Sequence, residues 1–220
     1  MDTPPAPDTI DVVSDVVCPW CYIGKRQLDK ALAALPPGER PAVRWHPFQL
    51  NPDLPAAGID RRRYLEDKFG GAERAEQIYA RVRAAGRQAG LALALERIER
   101  QPNTLDAHRL IAWAQDTRPG DASPLVEALF QAYFIDGRPI GDPEALAAIA
   151  GEAGLEGRAA AAMLASDAYR LETAEADERA RGMGIGGVPF FVFGQRLAVS
   201  GAQGVDALRG ALAQARAGRS

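Results

Sequence analysis

The sequence predicts an α/β protein in which a four-stranded mixed sheet, with helices packed against it, is interrupted by a large all-helical insertion. Strand-like apolar segments occur near both ends of the 220-residue chain, whereas between about Asp60 and Gly182 apolar residues recur at helical spacing. The predicted sheet domain is discontinuous and comprises residues 8–58 and 183–217. Residues 59–182 form the predicted helical insertion domain.

The first part of the chain is predicted to fold as strand, helix, strand. Residues 9–17 are β-branched and almost continuously apolar, which is typical of a strand buried on both faces of a sheet. The next apolar residues recur at helical spacing: Leu28, Ala31, Leu32 and Leu35. Two prolines then end the helix. Side chains on the two faces of a strand alternate again at residues 42–52, with Val43 and Trp45 on one side, so this segment is the second predicted strand. A right-handed crossover through the helix, which makes the two strands parallel, is the expected connection.

The insertion is predicted to contain several short helices and no strand. Two sets of residues form apolar helical stripes: Ala107, Leu110, Ile111 and Ala114, and Val126, Leu129, Phe130 and Tyr133. A further helix is expected to begin with Asp142 as N-cap and Pro143 at the first helical position. The arginines at residues 61–63 are interpreted as a solvated helix start.

The last part returns to strands. The segment PFFVF, then GQ, then RLAVSG predicts a hairpin whose Gly194–Gln195 turn has glycine at the first central position, as type II′ turns prefer. A final amphipathic helix contains Val205, Leu208 and Leu212. The two terminal parts together complete the sheet.

Charge and hydropathy exclude some classes of partner. With 26 Lys and Arg against 29 Asp and Glu, the formal net charge is -3, which predicts no nucleic acid or anionic membrane as a partner. No apolar run approaches the roughly 20 residues that span a bilayer. The N-terminal residues also lack the pattern of a secretory signal, so a cytoplasmic location is expected.

The two cysteines of the chain, Cys18 and Cys21, lie in the stretch DVVCPWCYIGK. A zinc site is disfavoured because only His46 and His108 could complete it, without ligand-like spacing. A static disulfide would close a very small loop and constrain the unfolded chain little. A dithiol between a strand and a helix is instead the signature of a thioredoxin-like redox site.

The predicted position of Cys18 at the start of a helix gives the two thiols different chemistry. Unpaired backbone N–H groups and the helix dipole stabilise a thiolate there, so the pKa of Cys18 should fall. Cys21, one turn deeper, should be more shielded. Pro19 suits the first helical position, and Trp20 either covers the thiols or contacts an incoming chain.

Several motifs together resemble the DsbA-like branch of the thioredoxin superfamily. CPWCYIGK, HPFQLNP, NTLDAHRL and GVPFFVFGQRLAVSGAQ are similar to segments of the FrnE-type oxidoreductases, relatives of 2-hydroxychromene-2-carboxylate isomerases and kappa-class glutathione transferases. The resemblance implies a thioredoxin-like fold, Cys18 as nucleophile and Cys21 as resolving thiol. It also implies a cis Pro189 facing them, with the backbone of Val188 pairing with an extended substrate.

Residues of the NTLDAHRL motif have two interpretations. Asn103 resembles residues that reach the substrate cleft in glutathione-binding relatives, but Asn103 or Thr104 is also a natural N-cap for the following helix. His108 is predicted to be a packed histidine and not an acid or base.

The function that these features favour is thiol-disulfide exchange with protein or peptide substrates, without a bound cofactor. Glutathione or another low-molecular-weight thiol is a candidate partner. A glutathione-dependent isomerase or transferase acting on a small aromatic compound is the alternative, although the retention of both cysteines argues against conjugation. A binding module or redox-sensing chaperone, with the cysteines as a switch, is a third class.

Overall fold

The central sheet is built from both ends of the chain. The computed structural model describes residues 9–117 and 122–218; the proline-rich start and the predicted boundary at residue 8 lie outside the described residues. The strands in chain order are β1 (Thr9–Ser14), β2 (Ala42–Pro47), β3 (Ile59–Asp60), β4 (Arg100–Gln101), β5 (Phe190–Phe193) and β6 (Leu197–Ser200). Four of them form the main sheet, in the order β2-β1-β5-β6.

The main sheet is mixed, as predicted. β1 runs parallel to β2 and antiparallel to β5, and β5 and β6 form an antiparallel hairpin. Val12 at the middle of β1 lies opposite Trp45 on one neighbour and Phe191 on the other. β1 is therefore a central strand, which explains its β-branched and largely apolar sequence.

Helices cover the sheet and form the insertion. They are α1 (Pro19–Ala33), α2 (Arg61–Phe69), α3 (Ala72–Ala89), α4 (Leu105–Thr117), α5 (Ser123–Gln131), α6 (Pro143–Glu152), α7 (Gly157–Leu164), α8 (Arg170–Gly182) and α9 (Val205–Ala217). A π-helical turn, Ala132–Asp136, extends α5. Asp142 caps α6 by accepting a hydrogen bond from the Glu144 N–H at 3.1 Å, with Pro143 in the first turn as predicted.

The main core joins the sheet to the insertion. Ile10, Val12, Phe191 and Phe193 are buried in the same apolar cluster as residues of the predicted helical stripes. Tyr22 of α1 stacks on Phe130 of α5, with ring centroids 5.0 Å apart. Because α1 follows Cys18 directly, this stacking ties the helix that begins at the cysteine pair to the helical insertion.

A second, smaller apolar cluster lies on the other side of β1. Val13 packs there with Phe48, Ala180 and Ile185. Phe48 follows β2, whereas Ala180 and Ile185 belong to the end of α8 and the segment after it. This cluster anchors the segment that leads into β5. That segment contains the Val188–Pro189 step, which the family resemblance places opposite the cysteines.

The insertion contains a short two-stranded sheet that the sequence did not predict. Ile59 pairs with Gln101 and Asp60 with Arg100 in an antiparallel arrangement. Two-residue strands are too short to show an alternating pattern, so tertiary contacts alone reveal them. The helical insertion between the two halves of the sheet is confirmed, but the prediction that it contains no strand is wrong at residues 59–60 and 100–101. The domain boundaries at residues 58 and 183 remain predictions.

Two local predictions need correction. The first strand ends at Ser14 and not at Val17, because the chain turns back on itself before Cys18. In the β5–β6 hairpin both Gly194 and Gln195 have positive φ, at 56° and 58°. Positive φ at both central residues defines a type I′ turn, not the predicted type II′ turn.

Candidate active site

Cys18 is placed at the junction of β1 and α1 by a tight turn. The Cys18 N–H donates to the Asp15 carbonyl at 3.0 Å, and the Asp15 carboxylate accepts from the Val17 N–H at 3.5 Å. Cys18 is the N-cap residue of α1, with extended backbone angles (φ -93°, ψ 113°), and Pro19 occupies the first turn. Both cysteines are buried and reduced. The predicted positions of Cys18 at a helix start and of Pro19 in the first helical turn are confirmed.

The two thiols differ in acidity. The pKa of Cys18 is lowered because the Cys21 side chain hydrogen bonds to its sulfur, helped by the backbone N–H groups of Cys21 and Trp20, and these effects outweigh burial and the nearby Asp15 charge. Burial raises the pKa of Cys21 well above that of an ordinary thiol. The helix start therefore favours one thiolate, at Cys18.

A pH titration of Cys18 should reveal this asymmetry. A lowered pKa means that the Cys18 thiolate persists to lower pH than the thiolate of an unperturbed cysteine. Alkylation of Cys18 by iodoacetamide should thus reach its half-maximal rate at a lower pH than alkylation of an unperturbed thiol. In Cys21→Ala, which lacks the strongest hydrogen-bond donor to Cys18, the midpoint should move upward. An unchanged midpoint in Cys21→Ala would refute this account of the acidity.

The Val188–Pro189 step lies directly against Cys18. The Sγ atom of Cys18 is 3.7 Å from the Val188 carbonyl oxygen, within reach of a weak S–H···O hydrogen bond. The peptide bond between Val188 and Pro189 is cis. Residues 170 positions apart are thus brought together, as the family resemblance implied.

Gly24 allows this close approach. A Cβ atom at Gly24 would lie 2.9 Å from Cγ of Pro189 and 3.0 Å from Cζ of Phe191. These distances are shorter than side chains tolerate without displacement. Glycine in the middle of α1 therefore has a packing role: it lets β5 and the Val-Pro step lie against the helix that begins at Cys18.

We expect Gly24→Ala to displace Pro189 and to impair the site. Overpacking costs about 1–3 kcal/mol, against a gain of up to about 1 kcal/mol in helix propensity, so net stability should fall and Cys18 reactivity should change. Gly210→Ala in α9 is the matched control, because its added Cβ would meet no heavy atom within 4 Å beyond its chain neighbours and the adjacent backbone of its own helix. Thermal unfolding and Cys18 alkylation rates measure both effects. Identical behaviour of the two variants would contradict the packing role.

A buried carboxylate and a buried histidine, whose pairing has no local signal in the sequence, support the turn before Cys18. Asp15 is fully buried, and its carboxylate accepts from the Leu50 N–H at 2.7 Å and lies 3.3 Å from Nε2 of His108. His108 is 4% exposed, so its predicted packing is confirmed. The pair fixes the turn against the segment after β2 and against α4.

A cleft opens beside the thiols. Cys18, Pro19 and Trp20 line a cavity of about 220 Å³ together with Leu50 and residues of α2 and α3. Trp20 is 40% exposed and lies at this cavity, so part of its ring is available to an incoming chain. Phe48 is buried in the small apolar cluster. Leu50 therefore belongs to the cleft wall, and Phe48 to the core.

Asn103 lies outside the cleft that contains Cys18. Its side-chain oxygen accepts from the Leu105 N–H at 2.9 Å, and its amide nitrogen donates to the carbonyls of Leu54 at 2.8 Å and Pro52 at 3.2 Å. It lines a separate cavity of about 470 Å³. These contacts match the predicted capping interaction, and they do not bring Asn103 to the cysteines.

Arg61 corrects the interpretation of the arginine triplet. Arg62 and Arg63 are exposed, but Arg61 is only 5% exposed and packs among the rings of Tyr64, Tyr79 and Tyr133. It lines the same cavity as Cys18. A triplet of identical residues gives no signal of which member is buried, so the sequence could not distinguish it.

Across residues 9–117 and 122–218, no group of three or more His, Cys, Asp or Glu side chains could hold a metal ion. His46 instead lies 2.7 Å from Asp11 on the exposed side of the sheet. No helix in that same part of the chain is long and apolar enough to cross a membrane.

The fold and the site together define a thioredoxin-like protein with a helical insertion. The family model of the DSBA-like thioredoxin domain matches residues 9–213. The chain therefore belongs to the DSBA-like thioredoxin domain family, whose members are oxidoreductases or isomerases. The resemblance identified in the sequence is confirmed.

Comparisons with individual proteins agree with this assignment. A probable DsbA oxidoreductase from Streptomyces coelicolor is 33% identical, with a TM-score of 0.86 over 97% of this chain and 92% of that chain. An uncharacterized Bacillus subtilis protein, YwbO, is 26% identical over 92% of this chain and 94% of its own. The cytosolic disulfide reductase DsbM from Pseudomonas aeruginosa, solved with GSH, shares the fold at 18% identity and a TM-score of 0.63, covering 94% and 98% of the chains.

Proposed function

We propose that this protein is a thiol-disulfide oxidoreductase that exchanges disulfides with protein or peptide substrates. The observation that supports this most directly is the position of Cys18. Its Sγ is at the start of α1, receives a hydrogen bond from Cys21, and lies 3.7 Å from the Val188 carbonyl. A stabilised thiolate and a second thiol within reach are the groups that dithiol exchange needs, and the nearby Val188 carbonyl marks where a substrate backbone could lie.

The proposed exchange has two steps. The Cys18 thiolate attacks one sulfur of the substrate disulfide, forms a mixed disulfide and releases the other substrate sulfur as a thiolate. Cys21 then loses its proton and attacks Sγ of Cys18, which releases the second substrate sulfur and leaves a Cys18–Cys21 disulfide. The substrate gains two electrons and two protons, and the protein pair is oxidised by the same amount. Two molecules of a thiol such as glutathione would return the pair to its reduced form and leave joined as a disulfide.

The raised pKa of Cys21 fits the second step of this mechanism. A protonated Cys21 donates to the Cys18 sulfur and is not itself a competing nucleophile. Once Cys18 is in a mixed disulfide, it no longer carries a negative charge next to Cys21. Loss of that charge makes deprotonation of Cys21 easier at the moment when it has to attack.

The substrate is proposed to lie along the Val188–Pro189 step. The Val188 carbonyl faces Cys18, and an extended segment beside it could form backbone hydrogen bonds as an added strand does. Pro19 and Trp20 line the same cavity and would contact that segment from the other side. A cytoplasmic location is part of this proposal, and the DsbM structure, titled a cytosolic disulfide reductase, has the same fold.

A reductase assay tests the proposal. A protein whose two chains are joined by disulfides is incubated with glutathione, with and without this protein, and chain separation is followed over time. We expect a rate above the glutathione background. The assay is repeated at several ratios of reduced to oxidised glutathione, and in the reverse direction with a reduced substrate. If the protein accelerates neither reduction nor oxidation above the glutathione background at any ratio, the proposal is refuted.

A further inference from the structure

The cavity beside Cys18 contains an arginine whose charge has no counterion among the described residues. Arg61 is only 5% exposed. Among the described residues, its guanidinium donates one hydrogen bond to a side chain, from Nη2 to the Tyr79 hydroxyl. Its Nε is buried without a partner. Buried charges are normally paired, because an unpaired one keeps its desolvation cost.

The tyrosines around Arg61 do not neutralise it. The guanidinium carbon lies 5.6 Å from the ring centroid of Tyr64 and 5.8 Å from those of Tyr79 and Tyr133. Burial raises the pKa of both Tyr79 and Tyr133, so their hydroxyls stay neutral near pH 7. Cation–π contacts hold the guanidinium in place, but they leave its positive charge uncompensated.

The remaining polar lining of the cavity has the same character. Apart from the Cys18 thiolate, Lys68 is the other charged residue among the described residues that line it, and it is also a cation. The side-chain oxygen of Gln101, which lines the cavity too, is buried without a hydrogen-bond partner. The cavity that Cys18 lines thus also has two cationic side chains, and buried atoms of Arg61 and Gln101, two of its lining residues, lack hydrogen-bond partners.

We propose that Arg61 is a carboxylate-binding residue of the Cys18 cavity, which therefore selects disulfides with a carboxylate close to the reacting sulfur. This inference rests on the proposed disulfide exchange. A planar guanidinium is suited to a carboxylate, and a cavity of about 220 Å³ that contains both Cys18 and Arg61 lets one small ligand or one acidic peptide residue reach both. Arg61 would act by positioning the substrate and not by taking part in the chemistry.

The first test compares three small disulfides that differ in charge: dithiodipropionate, hydroxyethyl disulfide and cystamine. Rates of reaction with reduced protein are divided by the rates with a free thiol, which removes intrinsic reactivity. We expect the anionic disulfide to be favoured roughly tenfold or more over the cationic one, the effect of one charge-assisted hydrogen bond. Arg61→Gln should lose this preference, and Arg62→Gln, an 85% exposed arginine on the same helix, should keep it.

A second pair of probes makes the test independent of disulfide exchange. Iodoacetate carries a carboxylate and iodoacetamide does not, and both alkylate Cys18. The ratio of their rates should be higher in the wild type than in Arg61→Gln. If Arg61→Gln fails to fold, a competition experiment on the wild type gives the same information. Butyrate should slow the alkylation of Cys18 by iodoacetamide, and butanamide, which has no carboxylate, should not.

The outcomes separate the inference from the proposed function. Exchange with all three disulfides without a charge preference would overturn the carboxylate site and leave the oxidoreductase proposal intact. If no disulfide reacts but Cys18 prefers iodoacetate in an Arg61-dependent way, the oxidoreductase proposal is overturned and the carboxylate site stands. Peptide disulfides with Asp or Asn beside the cysteine form a further arm: a preference for Asp supports acidic peptides as ligands, and a preference limited to small disulfides supports a small-molecule ligand.

Discussion

Replacement of Cys18 by serine should reduce disulfide exchange to the uncatalysed background. A serine hydroxyl is almost fully protonated at pH 7 and cannot displace a sulfur, so the first step has no nucleophile. Cys21→Ser should behave differently: the first step proceeds, and a mixed disulfide between Cys18 and the substrate accumulates. Mass spectrometry of the trapped complex, followed by digestion, identifies the cysteine that carries the adduct.

The two serine variants are matched controls for each other. Each replaces one sulfur by one oxygen at a buried position of the same helix start, so a general loss of folding would appear in both. Thermal unfolding tests that directly. Turnover that survives in Cys18→Ser would contradict the mechanism. Saturable glutathione binding, with activity insensitive to loss of Cys21, would instead indicate the glutathione-dependent isomerase or transferase.

Arg109→Met should produce the largest loss of stability among single substitutions outside the site. Arg109 in α4 is fully buried, pairs with Asp106 at 2.7 Å and donates to the carbonyls of Met163, Leu164, Ser166 and Ala168. These carbonyls are at or just after the end of α7, where a helix leaves them unpaired. Removal of the guanidinium leaves them and the Asp106 carboxylate without this partner, which should cost about 3–5 kcal/mol.

Denaturant unfolding measures this effect. Arg158→Met is the control, because it removes the same group from an exposed position on α7 and should change the free energy of unfolding by less than about 0.5 kcal/mol. Folded Arg109→Met should retain an acidic Cys18, because Arg109 bonds to Asp106 and to the end of α7, whereas α4 contacts the cysteine turn through His108. A loss similar to that of Arg158→Met would show that water replaces the guanidinium at little cost.

The sequence predicted those parts of the fold and the candidate site that depend on local pattern. The C-x-x-C pair marks a strand-to-helix junction because Pro19 suits the first helical turn and residues 9–14 are strand-like. The Val188–Pro189 step precedes a clear hairpin, so its place at the edge of a strand followed from composition. The family resemblance then indicated that these two distant segments meet.

Tertiary contacts determine the features that the sequence did not predict. Arg61 differs from Arg62 only in what surrounds it, and its tyrosines come from different helices. The pairing of Asp15 with His108 joins residues 93 positions apart. No local periodicity reports such contacts, and the same holds for the two-residue strands β3 and β4. The burial of Gly24 against Pro189 also depends on how α1 and β5 meet.

Titration of the Cys18–Cys21 pair in glutathione redox buffers shows whether the two thiols form one redox-active pair. We expect one reversible two-electron transition, with a mass loss of two hydrogen atoms within a single chain, and a potential in the range of about -270 to -120 mV found for such centres. Either serine substitution should abolish that intramolecular transition. A pair that stays reduced at every glutathione ratio, or that oxidises only between chains, would contradict the proposed exchange.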